Sequence, residues 1–420
     1  IMILIIVLIF LIKNIFIFFN NFCQLKYVFN FQVKISSLLL DSYSNLRYQN
    51  YISKNTSYYI KNLTLEVIAL TPYFTQVLIL TSEIIILIGI TSFLLYVDFK
   101  LSLILIGIFG SSASIYLFIV RKKMRIWGEA REKYDSLRVK DLNHIFGLFK
   151  DIKSHKIRNF FFDLFNFNNN QRWKVEFKEA LVNSFPRVYL EMIFVITILS
   201  ITSFLIYGQN FEDTYKIMPF LGLFAVYSIR LIPSINKIIY AYQSIKYKSV
   251  AVDVILKELN DNDKNVQIVN LEKTDDFEYK EKLVLKNIDF HYQKNRPIFT
   301  NTNLEIPKKS FIGIMGESGS GKSTLLGLIS GLLAPTKGEV LIDNKISVSQ
   351  NYLRWVNKVA IVSQSVFLTD DKIKNNIALG EKEKEIDYTK INGVLKSAQL
   401  EKFIHSLDDG IDTFIGERGT

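Results

Sequence analysis

Cysteine is almost missing from this sequence: Cys23 is the only one among 420 residues. An intramolecular disulfide is therefore excluded, and so is a metal centre built from several thiolates. Histidine is scarce too. His144, His155, His291 and His405 are scattered along the chain, a pattern that fits surface or packing residues better than a ligand set. Charged residues supply only 22% of the chain, whereas 49% is hydrophobic and 14% aromatic. That balance leans toward a membrane protein with a soluble part. The length is too great for one ordinary domain.

Five runs are apolar enough to cross a bilayer, which takes about 20 such residues. They fall near 1–19, 77–97, 101–120, 188–207 and 217–235. Buried helices of a soluble protein are the alternative, but the run LSLILIGIFGSSASIYLFIV carries no charge at all. The opening run IMILIIVLIFLIKNIFIFF lacks a basic leader and a small-residue cleavage site, so it reads as a transmembrane helix and not a signal peptide. The net charge of +11 is explained by where the basic residues sit. Residues 121–140 hold eight of them (Arg121, Lys122, Lys123, Arg125, Arg131, Lys133, Arg138, Lys140) against three acidic ones. The stretch 20–66 holds five, against Asp41 and Glu66. The opposite loops, 98–100 and 208–216, are short and not basic. Basic loops stay in the cytoplasm, so 20–66 and 121–185 are expected inside, and no nucleic-acid partner is needed to account for the charge. Trp127, Ala130, Tyr134 and Leu137 recur at helical spacing, which extends the helices well beyond the bilayer. With five spans and a cytoplasmic C-terminal part, Ile1 starts outside, and one further span is expected upstream.

Past residue 246 the composition changes. The expected domains are 1–246 (transmembrane), 247–282 (a polar linker with a first edge strand) and 283–420, where β-rich runs alternate with helical patterns as in an α/β domain. The strongest motif of the chain lies there, FIGIMGESGSGKSTLLGLISGLL. Gly316-x-x-x-x-Gly321-Lys322-Ser323 is a P-loop pattern, with a short apolar strand expected at 311–315 and a helix from Lys322 to Ser330 ended by Gly331. Glycine at 316, 319 and 321 lets the backbone wrap phosphate oxygens without a Cβ in the way. The N–H groups of Glu317, Ser318 and Ser320 and the helix N-terminus suit an anion. Lys322 adds a positive charge near the β- and γ-phosphates, and the Ser323 hydroxyl suits Mg²⁺. Tyr292 precedes Gly316 by 24 residues and is suited to stacking on a purine, although core packing is the plainer reading. Gln364 ends the apolar run VAIVSQ, expected to be a second parallel strand, and is suited to reach a nucleotide or a metal.

Taken in order, Tyr292, GESGSGKST, GLLAPTKGEVLID, VSQSVFLTDDKIKNNIALG and FIHSLDDGIDTFIGERG resemble the cassette of ABC exporters over residues 283–420. The resemblance implies an all-α polytopic transmembrane domain followed by an α/β P-loop nucleotide-binding domain, with ATP and Mg²⁺ as ligands. It implies an adenine-stacking role for Tyr292, phosphate binding by residues 316–323 with Thr324 beside them, and Mg²⁺ contacts for Ser323 and Gln364. Segments near Arg47–Ser53 and Gly147–Arg158 fall where such exporters have coupling helices. It further implies a second half-transporter, an identical copy forming a homodimer, in the cytoplasmic (inner) membrane with the cassette in the cytoplasm.

The family continues past ERGT into a signature, a Walker B strand and a catalytic glutamate. The sequence is therefore expected to be truncated at both ends, to hold no catalytic residue, and not to turn over ATP by itself. Lys13, Glu83, Arg187, Glu191 and Arg230 are ionisable residues at membrane depth, which usually face a cavity or a partner. Arg187 and Glu191 have the spacing of a helical ion pair. The phrases PRVYLE and RLIPSINKII resemble the PglK-type branch, which flips lipid-linked oligosaccharides, so Arg187 and Arg230 are candidate cavity contacts for a diphosphate. A peptide or drug exporter of the same fold, and a nucleotide-binding membrane protein that transports nothing, are the alternatives.

Overall fold

The computed structural model describes residues 2–208, 214–265, 278–293, 296–364 and 366–416. It divides into two compact units, Ile1–Lys273 and Thr274–Thr420. The first is helical: α1 (Met2–Ser44), α2 (Tyr48–Tyr51), α3 (Thr56–Lys61), a π-helical turn Asn62–Glu66, α4 (Val67–Val97), α5 (Phe99–Gly147), α6 (Phe149–Ser154), α7 (Arg158–Gly208) and α8 (Thr214–Asn265). Among the described residues, four stretches are long and apolar enough to cross a membrane: Met2–Ser44, Thr56–Val97, Ser102–Gly147 and Arg158–Ser200. The fifth expected span, 217–235, falls on α8. Lipid offers no hydrogen bonds, so a helix, which pairs its own backbone, is the form such a run adopts.

The helices are far longer than a bilayer requires. Helix α5 has 49 residues, α7 has 51 and α8 has 52. Their extensions carry apolar faces of their own, and the short helices α2 and α6 turn the chain between them. Helix α8 continues to Asn265, into the stretch expected as a linker. The physical reason is that Ala251, Ile255 and Glu258 keep one buried face going at spacings of four and three. Ile255 packs there with Leu39, Tyr43, Tyr59, Val67 and Leu70.

Two devices hold the helices together. The first repairs a proline. Pro186 inside α7 has no N–H, which frees the carbonyl of Val182 one turn earlier. The Tyr116 hydroxyl of α5 donates to that carbonyl at 2.9 Å, and Gln243 Nε2 of α8 donates to the Tyr116 oxygen at 3.2 Å. Close approach of α5 and α8 is permitted by Gly128, where a Cβ would lie 2.3 Å from the Tyr247 carbonyl oxygen. The second device is a buried charge network in the extensions. Lys61 and Glu66, both fully buried, flank the π-helical turn. Glu66 binds Arg131 at 2.9 Å, and Arg131 lies 3.8 Å from Asp135, which in turn binds Arg138 and Arg172 at 3.1 Å each. Lys61 also pairs with Glu132, and Arg172 with Glu176. Four cations thus meet four anions, which offsets the several kcal/mol that each buried ion costs in desolvation.

The second unit is built on a four-stranded sheet with the order β2-β1-β3-β4, from β1 (Lys282–Gln293), β2 (Arg296–Pro307), β3 (Lys337–Ile342) and β4 (Ile346–Ser347), every pair antiparallel. Alternate residues of β1 face the core, where Leu283, Leu285, Ile288 and Phe290 meet Leu328, Val340, Ile342 and Trp355. Asp343 and Asn344 turn β3 into β4 with φ of 52° and 58°, the left-handed conformation that these residue types tolerate. The Asp343 carboxylate accepts from the backbone N–H groups of Lys280, Glu281 and Lys282 at 2.7, 2.7 and 2.9 Å. Slight burial pushes its pKa up, but these three donors outweigh it and hold the group below its usual range.

The expected parallel strands at 311–315 and in VAIVSQ are not strands here. Phe311, Met315 and Val362 are fully exposed, and no described strand pairs with either run. A strand exists only where a neighbour takes its N–H and C=O groups, and neither run lies beside a described strand that does so. A separate cluster of Ile373, Ile386, Ile391, Leu395 and Ile404 gathers the short helices Ile373–Ile377, Tyr388–Ser397 and Glu401–His405.

The proline repair is testable. Tyr116→Phe orphans a buried carbonyl and is expected to destabilise the helical unit by about 1–3 kcal/mol, read as a lower melting temperature in lipid nanodiscs. Adding Pro186→Ala restores the residue-186 N–H as a donor to the Val182 carbonyl, so the double variant should recover most of the loss. Equal melting of Tyr116→Phe and the unaltered chain would show the contact to be incidental.

Candidate nucleotide-binding site

The P-loop leaves the end of β2 through residues 308–315 and closes onto α9 (Lys322–Ile329). Two glycines make its shape possible. Gly319 and Gly321 have φ of 85° and 94°, in the region where other residues are strained. Gly321 also caps α9, and a Cβ there would lie 2.7 Å from Ile298 Cγ2 and 3.1 Å from the Phe299 ring. Strand β2 therefore presses directly on the turn and fixes where the helix begins. At the far end, Gly331 adopts φ 81°, and Trp355 Nε1 donates to the Ile329 carbonyl at 2.8 Å. Leu333 packs against Gly327, anchoring the helix to the sheet core.

The loop itself, Gly316 to Ser320, is exposed. Lys322 folds back over it, and its Nζ donates to the carbonyls of Gly316 and Glu317 at 2.7 and 2.6 Å. An ammonium laid on carbonyls at a helix N-terminus is held by weak neutral acceptors, while the helix end offers N–H groups to an anion. A phosphate is a better partner for both. The donor set fits a nucleoside triphosphate with Mg²⁺: Gly316, Glu317, Ser318, Gly319, Ser320, Gly321 and Lys322 would hold phosphate oxygens, and the Ser323 hydroxyl would take the metal.

The structure brings Tyr292 to this loop. Its hydroxyl lies 3.4 Å from Thr324 Oγ1 in the first turn of α9, and its ring, half exposed, stands edge-on to Phe290 at 5.0 Å. One side of the ring is thus supported while part of it stays open to a ligand. Gln364 is exposed and makes no described hydrogen bond to the loop. The packing of Ile298 and Phe299 under Gly321 and the Trp355 contact were not foreseen in the sequence. No local spacing announces them, because each joins residues more than twenty positions apart.

In the helical unit, Arg187 is exposed and binds Glu191 at 3.0 Å, as its spacing predicts, and Arg230 is exposed on α8. Neither lines the cavity that the helices enclose. That cavity, about 520 Å³, lies between α1, α4 and α8, and a salt bridge crosses it from Lys237 Nζ to Glu83 Oε1 at 2.6 Å. Glu83 was picked out by its depth in the sequence; Lys237 was not.

A glycine-rich phosphate loop on an antiparallel sheet, preceded in the sequence by overlong apolar helices, is similar in make-up to an ABC-type nucleotide-binding cassette that follows an exporter-type membrane domain. The comparisons with known proteins agree. Residues 299–416 match the family model described as ABC transporter. The chain is 37% identical over 139 residues to ABC transporter B family member 21 of Arabidopsis thaliana, covering 32% of this chain and 10% of that protein. It is 36% identical over 135 residues to the ATP-dependent lipid A-core flippase of Escherichia coli K12, covering 32% of this chain and 23% of that one. Among solved structures, a bacterial Atm1-family ABC exporter with ATP bound superposes with a TM-score of 0.77 at 16% identity, over 94% of this chain and 69% of that chain. The sequence matches therefore span a quarter or less of the curated relatives' length, and the structural match extends the shared fold to the helices.

Gly321→Ala puts a Cβ both into the left-handed region and against β2. It is expected to cost at least about 1–2 kcal/mol in the cassette and to weaken nucleotide binding. Calorimetric melting with and without ATP checks it; unchanged values for both would mean the turn is not fixed by Gly321.

Proposed function

We propose that this chain works as one half of an ATP-driven ABC exporter. The observation that carries the reading is Lys322, poised over a bare glycine loop at the start of α9 and ready to exchange two carbonyls for phosphate oxygens. In this reading Tyr292 stacks on the adenine, the loop and Thr324 surround the phosphates, and Ser323 and Gln364 hold Mg²⁺. When bound, Mg²⁺ spreads the charge of the β- and γ-phosphates. Hydrolysis to ADP and phosphate takes place against a second cassette, most simply from an identical chain, which supplies the facing groups.

Helices α2 and α6 stand at the two cytoplasmic turns of the bundle, where the sequence resemblance places coupling elements, and we assign them that role. The substrate is lipid-like or lipid-linked, carried across the cytoplasmic membrane. The lipid A-core flippase among the relatives supports this over a peptide or drug. The diphosphate of a lipid-linked oligosaccharide has Arg230 as its candidate contact, since the charge of Arg187 is already met by Glu191.

The test is nucleotide binding by the chain in nanodiscs, followed with a fluorescent ATP analogue. Loss of one charge-assisted contact in Lys322→Ala should weaken binding roughly ten- to hundredfold. Equal affinity for the variant and the unaltered chain would contradict the reading.

A further inference from the structure

Contacts between the long helices fix which residues share one depth. Helices α4 and α5 run antiparallel and Glu66 meets Arg131, so Gln76 stands level with Arg121. The Thr71 hydroxyl donates to Gln32 of α1, Lys237 of α8 donates to Glu83, and Tyr116 donates to the Val182 carbonyl of α7. With a rise of about 1.5 Å per residue, the same level falls near Tyr27 on α1, Ser244 on α8 and Phe177 on α7. Six cations lie within about one turn of it: Lys26, Arg121, Lys122, Lys123, Lys178 and Lys246. By the basic-loop orientation this is the cytoplasmic end of the expected spans 77–97 and 101–120, where the phosphates of the inner leaflet lie.

These charges have no use inside the folded chain. Among the described residues none of the six forms an ion pair, whereas Arg125, Arg131, Arg138 and Arg172, farther from the bilayer, are all paired. All six sit in helix interiors, so none of them meets the dipole of a helix end. Lys246 is half-buried and the other five are exposed.

Aromatic rings hold three of the cations on their bilayer side. Arg121 lies over Phe118 at 4.6 Å, Lys26 over Phe22 at 5.9 Å and Lys246 over Tyr242 at 5.6 Å. On the same side Ile115, Phe118 and Ile119 of α5 are exposed, as are Leu181 and Phe185 of α7. Membrane orientation counts basic residues on a loop and asks for neither a shared depth nor supporting rings. An apolar surface that ends in unpaired cations matches a lipid whose alkyl chains end in an anion.

We propose that this level is a docking surface for anionic phospholipids of the inner leaflet. It is densest at Arg121, Lys122, Lys123 and Lys178, where α5 packs on α7. The lipid phosphates meet the cations, and the chains lie along the exposed apolar residues. The surface belongs to the helical unit alone, and occupying it needs no nucleotide.

The test is lipid retention by the chain in nanodiscs of phosphatidylcholine with a minor share of phosphatidylglycerol. Native mass spectrometry after release into detergent counts the bound lipids of each kind and reads the oligomeric state. The unaltered chain should keep phosphatidylglycerol well above its bulk share. One cation near the surface is worth about fivefold in affinity, so Arg121→Gln with Lys122→Gln and Lys123→Gln should lose at least about tenfold of that enrichment. Lys133→Gln with Lys140→Gln also removes charge from α5, but about 15 Å or more beyond Lys123, past the screening length, and should change nothing. In pure phosphatidylcholine the triple variant should melt with the unaltered chain, because it loses no internal pair. Added phosphatidylglycerol should raise the melting temperature of the unaltered chain alone.

Equal enrichment in the triple variant and the unaltered chain would overturn the proposal, and so would an equal loss in the Lys133 and Lys140 variant. A triple variant that keeps its phosphatidylglycerol but changes its oligomeric state would assign the surface to a second copy of the chain instead.

Discussion

A polar group withdrawn from water is costly unless it finds a partner, and that constraint organises much of what is observed. In the apolar runs it forces helices, since only the helix pairs all of its own N–H and C=O groups where lipid offers none. Where Pro186 breaks that rule, Tyr116 supplies the missing donor. In the extensions, the ring of ion pairs around Glu66, Arg131 and Asp135 keeps ionised side chains in a packed interior without a net charge. At the glycine-rich loop, the Lys322 ammonium donates to the carbonyls of Gly316 and Glu317.

The shape of the glycine-rich loop was legible in the sequence because it is local. Gly316, Gly319, Gly321, Lys322 and Ser323 lie within one turn and one helix start, and their spacing carries the geometry with it. The left-handed φ of Gly319 and Gly321 and the helix from Lys322 follow as read. The apolar spans were legible for the same reason, since twenty residues without charge have few uses. The Arg187–Glu191 pair followed from a spacing of four.

What escaped the sequence joins distant residues. Glu66 and Arg131, or Asp135 and Arg172, give no sign of each other in a linear reading. The π-helical turn at Asn62–Glu66 has no local signal either. Residues 311–315 and the VAIVSQ run have strand-like composition but no described neighbour to pair with, so composition alone misplaced them. The continuation of α8 to Asn265 was hidden by a polar surface face, because a few isolated apolar residues among charges read as a linker until Ile255 is seen packed against Leu39 and Val67.

The central claim is that residues 316–323 grip a triphosphate with their backbone. The most direct measurement is amide hydrogen exchange across that segment in lipid nanodiscs, with and without Mg²⁺ and ATP. The account predicts marked slowing at the amides from Gly319 to Ser323 when nucleotide is added, with the helical spans unchanged. Identical exchange in both conditions would contradict it.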